Sequence, residues 1–88
     1  MKCWVYILAS DNCRRFYIGS SVDVRRRLDK HNNGKVMATR NKGPWRCVFQ
    51  QEYGEVRLAR RAEMWLKKMK SRKIIEQIIR NGIVHRIT

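Results

Sequence analysis

CWVYILASDNCRRFYIG, residues 3–19, contains the clearest structural signal of the chain. Two runs of alternating apolar and aromatic residues flank a polar segment that contains Asp11 and Asn12. This pattern predicts a β-hairpin, with Asp11 and Asn12 taking the positive φ of a tight turn. A two-residue turn there places Tyr6 directly opposite Tyr17, whereas a longer turn shifts the pairing by two residues. In both registers the two tyrosines lie on one face of the hairpin.

The two faces of this hairpin differ in chemistry. The first face is wholly apolar and consists of Cys3, Val5, Ile7, Phe16 and Ile18. The second face carries Trp4, Tyr6, Leu8, Tyr17 and Gly19. We therefore expect the first face to meet the core. On the second face, the two phenols beside a glycine are either amphipathic residues at the edge of a core or members of a functional site.

Length and charge limit the possible functions. The 88 residues fit one domain, residues 1–88, with a modest core, since a chain of this size buries only about 60–65% of its unfolded surface. The formal net charge of +14 comes from 21 Lys and Arg against 7 Asp and Glu, spread along the whole chain. Such a charge on a small domain indicates a polyanionic partner, most simply nucleic acid. The sequence predicts no membrane span and no signal peptide.

The cysteines favour free thiols over a disulfide or zinc site. Cys3, Cys13 and Cys47 are odd in number and lack the spacing of zinc ligands. With only His31 and His85 available, a Cys/His metal cluster is not expected. Free thiols in a reducing cytoplasm are the simplest interpretation.

A helix is predicted after the hairpin, with Ser21 as its N-cap and Gly34 as its C-terminal stop. Its inner stripe contains Val24 and Leu28, and Arg27 and His31, four residues apart, fall beside that stripe. The following basic loop, residues 34–44, has no periodicity. Its cations are either solvated or contact phosphates, and the nucleic-acid-binding candidates are Lys35, Arg40 and Lys42.

The rest of the chain predicts one strand and two helices. Residues 45–53 alternate, with Trp45, Cys47 and Phe49 expected on one side. Residues 55–70 have a helical apolar stripe in an otherwise cationic helix, in which Glu63 lies at the edge of the stripe. Residues 72–81 form a third helix, and Val84 and Ile87 are expected to pack back onto the core. The predicted fold class is α+β, in the order β-β-α-β-α-α, with a small three-stranded antiparallel sheet.

In this order the chain resembles the GIY-YIG nuclease superfamily, in particular its small, stand-alone bacterial branch. Val5-Tyr6-Ile7 stands where the family carries its first signature, and Tyr17-Ile18-Gly19 is the second signature intact. Arg27 and His31 match positions on the family's first helix, and Glu63 matches its metal-binding glutamate. The resemblance covers about residues 4–79. Val5 departs from the glycine of the first signature.

The resemblance implies a metal-dependent endonuclease that hydrolyses phosphodiester bonds, with DNA the favoured substrate. Its implied catalytic residues are Tyr6, Tyr17, Arg27 and His31, and Glu63 would hold Mg²⁺ or Mn²⁺. These side chains suit the chemistry. Arginine presents a planar fork to phosphate oxygens, and a divalent ion neutralises charge and activates water. One tyrosine would activate water while the other positions it, in either assignment. Histidine, with an ordinary pKa near neutrality, suits a proton shuttle.

Each of these residues also has a structural interpretation. Arg27 matches a solvated surface arginine, and His31 matches a helix-end cap. Glu63 has Lys67 four residues later as a surface partner. Glu76 is a second candidate for the metal ligand, although Arg72 and Arg80 account for it as an ion-pair partner. The alternative function is a nucleic-acid-binding module that has the fold and does not cleave.

Overall fold

A computed structural model describes residues 1–69 and 71–82. Its elements follow the predicted order: β1 Cys3–Ser10, β2 Phe16–Ser21, α1 Val24–Asn32, a short 3-10 turn Met37–Thr39, β3 Trp45–Tyr53, α2 Val56–Met69 and α3 Arg72–Asn81. The three strands form an antiparallel sheet in the order β2-β1-β3. The α+β class is thus confirmed. The expected packing of Val84 and Ile87 and the end of α2 at Lys70 lie outside the described residues.

The hairpin has the longer of the two predicted turns. Tyr6 pairs with Gly19 and Leu8 pairs with Tyr17, so the two tyrosines are diagonal neighbours on one face. The Ser10 backbone N–H donates to the Arg15 carbonyl at 2.9 Å and closes the loop. The positive φ occurs at Arg14 (φ 55°), so its prediction at Asp11 and Asn12 was wrong. The Ser10 hydroxyl accepts bonds from two backbone N–H groups of the loop and so replaces the tight-turn geometry.

A β-bulge changes the face assignment of β3. The pairing with β1 shifts between Ile7, which lies opposite Phe49, and Leu8, which lies opposite Cys47. The extra residue on β3 therefore turns Phe49 to the face opposite Trp45 and Cys47. The prediction that all three share one side was wrong at Phe49, because strict alternation fails where one strand carries an additional residue.

The main core lies between one face of the sheet and helices α2 and α3. The apolar hairpin face packs there as predicted, against Ala59, Ala62 and Leu66 of α2 and Ile75 and Ile78 of α3. The two alanines are fully buried and allow α2 to lie close to the strands. Ser71 caps α3 by accepting a bond from the Ile74 N–H, and Gly82 follows in the left-handed conformation.

A second, smaller core lies on the opposite face, under α1. Tyr6, Leu8 and Trp45 are buried there, with Val24 and Leu28 packed against them. The N-cap of α1 is Asp23, whose carboxylate accepts a bond from the Arg26 N–H. The prediction of Ser21 as the cap was wrong, because the helix begins two residues later than expected. Ser21 instead accepts a bond from the Asp23 N–H.

Gly34, with φ +73°, follows α1, as predicted for the C-terminal end of this helix.

Among the residues described, no helix has the length and apolar character needed to cross a membrane.

Candidate active site

The Tyr6 ring lies across strand β2 at Gly19. A side-chain carbon at Gly19 would stand 2.6 Å from Tyr6 Cζ and closer still to the phenol oxygen. Real Cβ atoms do not approach other atoms so closely, so only glycine leaves room for this ring. Tyr6 is 1% exposed. The glycine of the second signature therefore determines where the tyrosine of the first signature lies.

A chain of buried polar groups begins at the Tyr6 hydroxyl. The phenol oxygen is 3.1 Å from His31 Nε2, and His31 Nδ1 is 2.8 Å from Thr39 Oγ1. The Thr39 hydroxyl also donates to the Val36 carbonyl at 3.4 Å. His31 is on the last turn of α1 and Thr39 is in the following 3-10 turn. This series of hydrogen bonds connects the first strand to the basic loop through the interior of the protein.

Burial keeps both ring systems neutral near pH 7. Burial is the main cause that raises the pKa of Tyr6 to about 12, while the nearby Arg27 guanidinium lowers it. Burial, and then the charge of Arg27, lower the pKa of His31 to about 4. The expectation that the pKa of His31 lies near neutrality was wrong, because the sequence did not show that His31 is 2% exposed. His31 also does not act as a helix-end cap, because its two ring nitrogens contact Tyr6 and Thr39.

Arg27 adjoins both members of this pair. The nearby Arg27 guanidinium lowers the pKa of the Tyr6 phenol, and its charge lowers the pKa of the His31 ring. The side chain is half-buried beside the inner stripe of α1, as the helical spacing predicted. Arg27 is therefore one turn before His31 on α1 and close to Tyr6, whereas a solvated surface arginine has no such neighbours.

Tyr17 is the more accessible phenol. Its ring stacks at a tilt on His31, with 4.7 Å between the ring centroids, and meets the edge of Trp45 at 6.5 Å. The side chain is half-buried. Within the described part of the chain, its hydroxyl makes no hydrogen bond to another residue. The two tyrosines thus differ: one is enclosed and bonded, and the other leaves its hydroxyl available to solvent or substrate.

Glu63 reaches the same edge of the sheet from the other face. Helix α2 packs on the main core, and Glu63 Oε1 accepts a bond from Ser20 Oγ at 2.6 Å, beside Gly19. Glu63 Oε2 accepts a bond from Lys67 Nζ, also at 2.6 Å. The carboxylate is close enough to Tyr6 for its charge to raise the pKa of the phenol. The i,i+4 pair anticipated from the sequence exists, and Glu63 also belongs to the cluster around Tyr6.

The Glu63 carboxylate fits a divalent ion with few protein ligands. Each carboxylate oxygen offers two lone-pair directions, and here each accepts one bond from a side chain, which leaves one direction free per oxygen. Mg²⁺ retains several waters and is usually held by one or two carboxylates plus phosphate oxygens. Among the described residues, no three His, Cys, Asp or Glu side chains form a metal cluster. Glu76, the other candidate, pairs with Arg72 at 3.0 Å.

The basic loop adjoins the His31 end of the site. The Arg40 guanidinium donates to the Gly34 carbonyl at 2.9 Å, and the Lys42 ammonium donates to the Ala38 carbonyl at 3.4 Å. Lys35 is exposed. These bonds hold the loop in shape and leave further donors on both cations. Part of the loop lines a groove of about 500 Å³, together with His31 and Asn32 at the end of α1. That these three cations contact nucleic acid stays a prediction.

Three residues of the site were not found by sequence reasoning. Ser20 holds Glu63, Thr39 contacts His31, and Asn32 binds both the N–H and the carbonyl of Trp45. Strand alternation places Ser20 on the α2 face, so its role had a weak signal. Thr39 had none, since it lies in a loop without periodicity. Asn32 ties the end of α1 to the start of β3 and so fixes the position of His31.

Comparisons with known proteins show which proteins this chain resembles. Residues 2–75 match the family described as the GIY-YIG catalytic domain. The chain is 34% identical over 83 residues to the UPF0213 protein YhbQ of Escherichia coli K12, covering 93% of this chain and 82% of that protein. It is 38% identical over 72 residues to a UPF0213 protein of Streptococcus pneumoniae, covering 78% of this chain and 70% of that protein.

A solved structure has a related fold. The solution NMR structure of the UPF0213 protein BH0048 from Bacillus halodurans superimposes with a TM-score of 0.57 at 36% identity. The alignment covers 93% of this chain and 87% of that one.

Proposed function

The chain belongs to the GIY-YIG catalytic-domain family, and on that premise we propose that it is a metal-dependent endonuclease that hydrolyses phosphodiester bonds, with DNA as the favoured substrate. We further propose that residues 1–88 act as one nuclease domain. The three cysteines are free thiols, which suits a reducing compartment, and we propose the cytoplasm as its place of action.

The observation that carries the proposal is the convergence of five side chains at one edge of the sheet. Tyr6, His31 and Tyr17 are in contact, and Arg27 and Glu63 both act on the Tyr6 phenol. They come from four different elements. A pure binding surface needs cations for phosphate and has no need of a carboxylate beside a buried phenol. Phosphodiester hydrolysis needs both.

We assign Arg27 to the scissile phosphate. Its guanidinium stays charged at any working pH, and its planar fork matches two phosphate oxygens. Arg27 lies beside Tyr6 and His31, which matters because positioning is a large part of phosphoryl-transfer catalysis. Glu63, held by Ser20, would hold the divalent ion. When bound, that ion supplies charge neutralisation and lowers the pKa of water.

The two tyrosines receive different tasks. Tyr17 has the accessible hydroxyl, so we propose that it contacts the attacking water. Tyr6 keeps its proton near neutral pH, since its pKa is raised to about 12. It therefore acts as a neutral hydrogen-bonding group that positions the His31 ring. The loop cations Lys35, Arg40 and Lys42 would contact phosphates next to the cleavage site.

The test is cleavage by the purified chain with Mg²⁺ or Mn²⁺ on single-stranded, duplex, flap and junction DNA and on structured RNA. We expect EDTA to abolish cleavage. Arg27→Ala and Glu63→Gln should each lower the rate by about 10²-fold or more, the scale of a lost transition-state donor. Because both serve one step, the double variant should lose less than the product of the two single losses. Tyr17→Phe removes the hydroxyl and keeps the ring packing.

Two outcomes would contradict the proposal. Cleavage that persists unchanged in Arg27→Ala and Glu63→Gln would place the activity elsewhere or in a contaminant. Tight binding without cleavage of any substrate would favour the second candidate, a nucleic-acid-binding module. One observation supports that candidate: the Glu63 carboxylate already has a cation, since Lys67 Nζ is 2.6 Å from it.

A further inference from the structure

The hydrogen bonds of the buried Tyr6 hydroxyl determine which way its proton faces. A phenol with 1% exposure has to donate its proton within the protein, because buried polar groups are almost always bonded. Among residues 1–69 and 71–82, His31 Nε2 is the acceptor that the hydroxyl reaches, at 3.1 Å. Nε2 therefore carries no proton.

The other side of the His31 ring agrees with this conclusion. A neutral imidazole with a bare Nε2 carries its proton on Nδ1, which is 2.8 Å from Thr39 Oγ1. The Thr39 hydroxyl donates its own proton to the Val36 carbonyl at 3.4 Å, which leaves its oxygen lone pairs to accept from Nδ1. The donor-to-acceptor directions are then consistent from Tyr6 through His31 and Thr39 to Val36. Each proton of these three hydrogen bonds has an acceptor.

We propose that Thr39 is a positioning residue that fixes His31 as its Nδ1-protonated tautomer, so that Nε2 accepts the hydroxyl proton of Tyr6. In histidine the hydrogen bond of one ring nitrogen determines the protonation of the other. The opposite tautomer would aim Nε2–H at the phenol oxygen and leave the buried phenol proton without an acceptor.

Thr39 thereby acts on the Tyr6 hydroxyl through the His31 ring. Thr39 belongs to the basic loop, and its backbone carbonyl accepts a bond from the Trp45 indole at 3.2 Å. A change in the loop would be transmitted to the tautomer of His31. The effect of Thr39 on cleavage rests on the proposed endonuclease function, whereas the tautomer itself does not.

The tautomer is measurable without any substrate. Long-range ¹H–¹⁵N correlation spectra of ¹⁵N-labelled protein at pH 7 distinguish a protonated ring nitrogen from a bare one. The chain has two histidines, so His31→Gln identifies the signals of His31 by their loss. We expect a single form with protonated Nδ1 and bare Nε2. A wild-type spectrum with protonated Nε2 would overturn the proposal whatever any variant does.

Two variants of Thr39 test its role. Thr39→Val keeps the branched shape and removes the hydroxyl, and we expect a mixture of tautomers or the Nε2-protonated form. Thr39→Ser keeps the hydroxyl and should retain the wild-type tautomer. If Thr39→Val folds and retains pure Nδ1-protonated His31, Thr39 does not determine the tautomer and the proposal fails. If Thr39→Val does not fold, Thr39→Ser decides alone: a changed tautomer there also overturns the proposal.

Kinetics on a cleaved substrate separate positioning from folding. Thr39→Val should lower kcat about tenfold, the scale of one hydrogen bond, with little change in KM, and Thr39→Ser should restore kcat. A loss that Ser does not restore would indicate a packing role and overturn the proposal. If the wild-type chain cleaves nothing, the endonuclease function fails, and the NMR result still decides the tautomer.

Discussion

Gly19 is the residue on which the position of Tyr6 depends. The phenol ring crosses β2 where Gly19 has no side chain, and the hydroxyl then reaches His31 Nε2 at 3.1 Å. Glycine is required here for space: its φ lies outside the range that L residues avoid. The second signature of the family is therefore a steric partner of the first signature in this chain.

Gly19→Ala should displace the Tyr6 ring and destabilise the protein by about 1–3 kcal/mol, the usual cost of overpacking. We expect a lower midpoint in chemical denaturation and loss of the wild-type His31 ring signals by NMR. Gly54→Ala is the matched control, since a side-chain carbon there meets nothing within 4 Å. Equal stability of the two variants would show that Tyr6 moves aside without cost.

Acid should destabilise the fold through His31. Its pKa is lowered to about 4 in the folded state from an ordinary 6.5, so between these values the unfolded chain binds a proton that the folded chain does not. Stability is therefore full above about pH 6.5 and falls as the pH drops toward 4. The loss should be on the order of 3 kcal/mol, since each pKa unit is worth about 1.4 kcal/mol.

Urea denaturation at pH 7.0 and pH 4.5 measures this loss. The control is His31→Gln, which lacks the titrating ring while the acidic residues still titrate. We expect the wild type to lose more stability on acidification than His31→Gln does. An equal loss in both proteins would contradict the buried, neutral state of His31.

Helix α2 combines two roles along its length. Its inner face packs Ala59, Ala62 and Leu66 on the sheet. Glu63, next to Ala62 in sequence, comes to the edge of that face, where its side chain is 19% exposed. One turn later Lys67, half exposed, completes an i,i+4 pair with it. Helical geometry thus places an acid at the site and a competing cation beside it.

Lys67→Gln should strengthen Mn²⁺ binding. The substitution removes the ammonium that neutralises Glu63, and exposed pairs of this kind are worth about 0.2–1 kcal/mol, or up to about fivefold in affinity. Lys68→Gln removes the same net charge from the same helix and is the control. Titration of free Mn²⁺ by electron paramagnetic resonance measures both. Equal affinities of the two variants, or undiminished binding in Glu63→Gln, would contradict the assignment of Glu63 as the metal ligand.

Charge dominates the molecule as a whole. Five of the seven acidic residues pair with a cation, and a sixth, Asp23, caps α1. The seven acidic residues neutralise only a minority of the 21 Lys and Arg. The remaining net charge of +14 favours association with a polyanion over a wide surface. Binding should be electrostatic and weak in sequence preference.

The salt dependence of duplex-DNA binding should identify the loop cations. Each phosphate contact adds about −0.9 to the slope of log K against log salt concentration. Lys35→Gln should therefore make the slope shallower by about 0.9, since this exposed cation is in the basic loop. Lys73→Gln, exposed on α3, removes the same charge away from the loop and should leave the slope unchanged. Fluorescence anisotropy over a salt series measures both, and identical slopes would remove the loop from the interface.

The order of the elements and most of the candidate site could be predicted from the sequence. Alternation with period two gave the three strands, and apolar stripes with helical spacing gave α1, α2 and α3. Both signals are local, since each arises because one side of an element is buried. The order and spacing of five residues match a known family, and these residues are Tyr6, Tyr17, Arg27, His31 and Glu63. In the structure they lie near one another, around the Tyr6 and His31 rings.

The details that depend on neighbours distant in sequence required the tertiary structure. The bulge that turns Phe49 to the other face is a property of the pairing of β3 with β1. The lowered pKa of His31 follows from burial under a loop that has no periodicity. The bond from Thr39 to His31 depends on how that loop folds back. Hydrogen-bond direction and desolvation depend on all the neighbours of a group. These neighbours include residues distant in sequence, so residue spacing along the chain does not predict them.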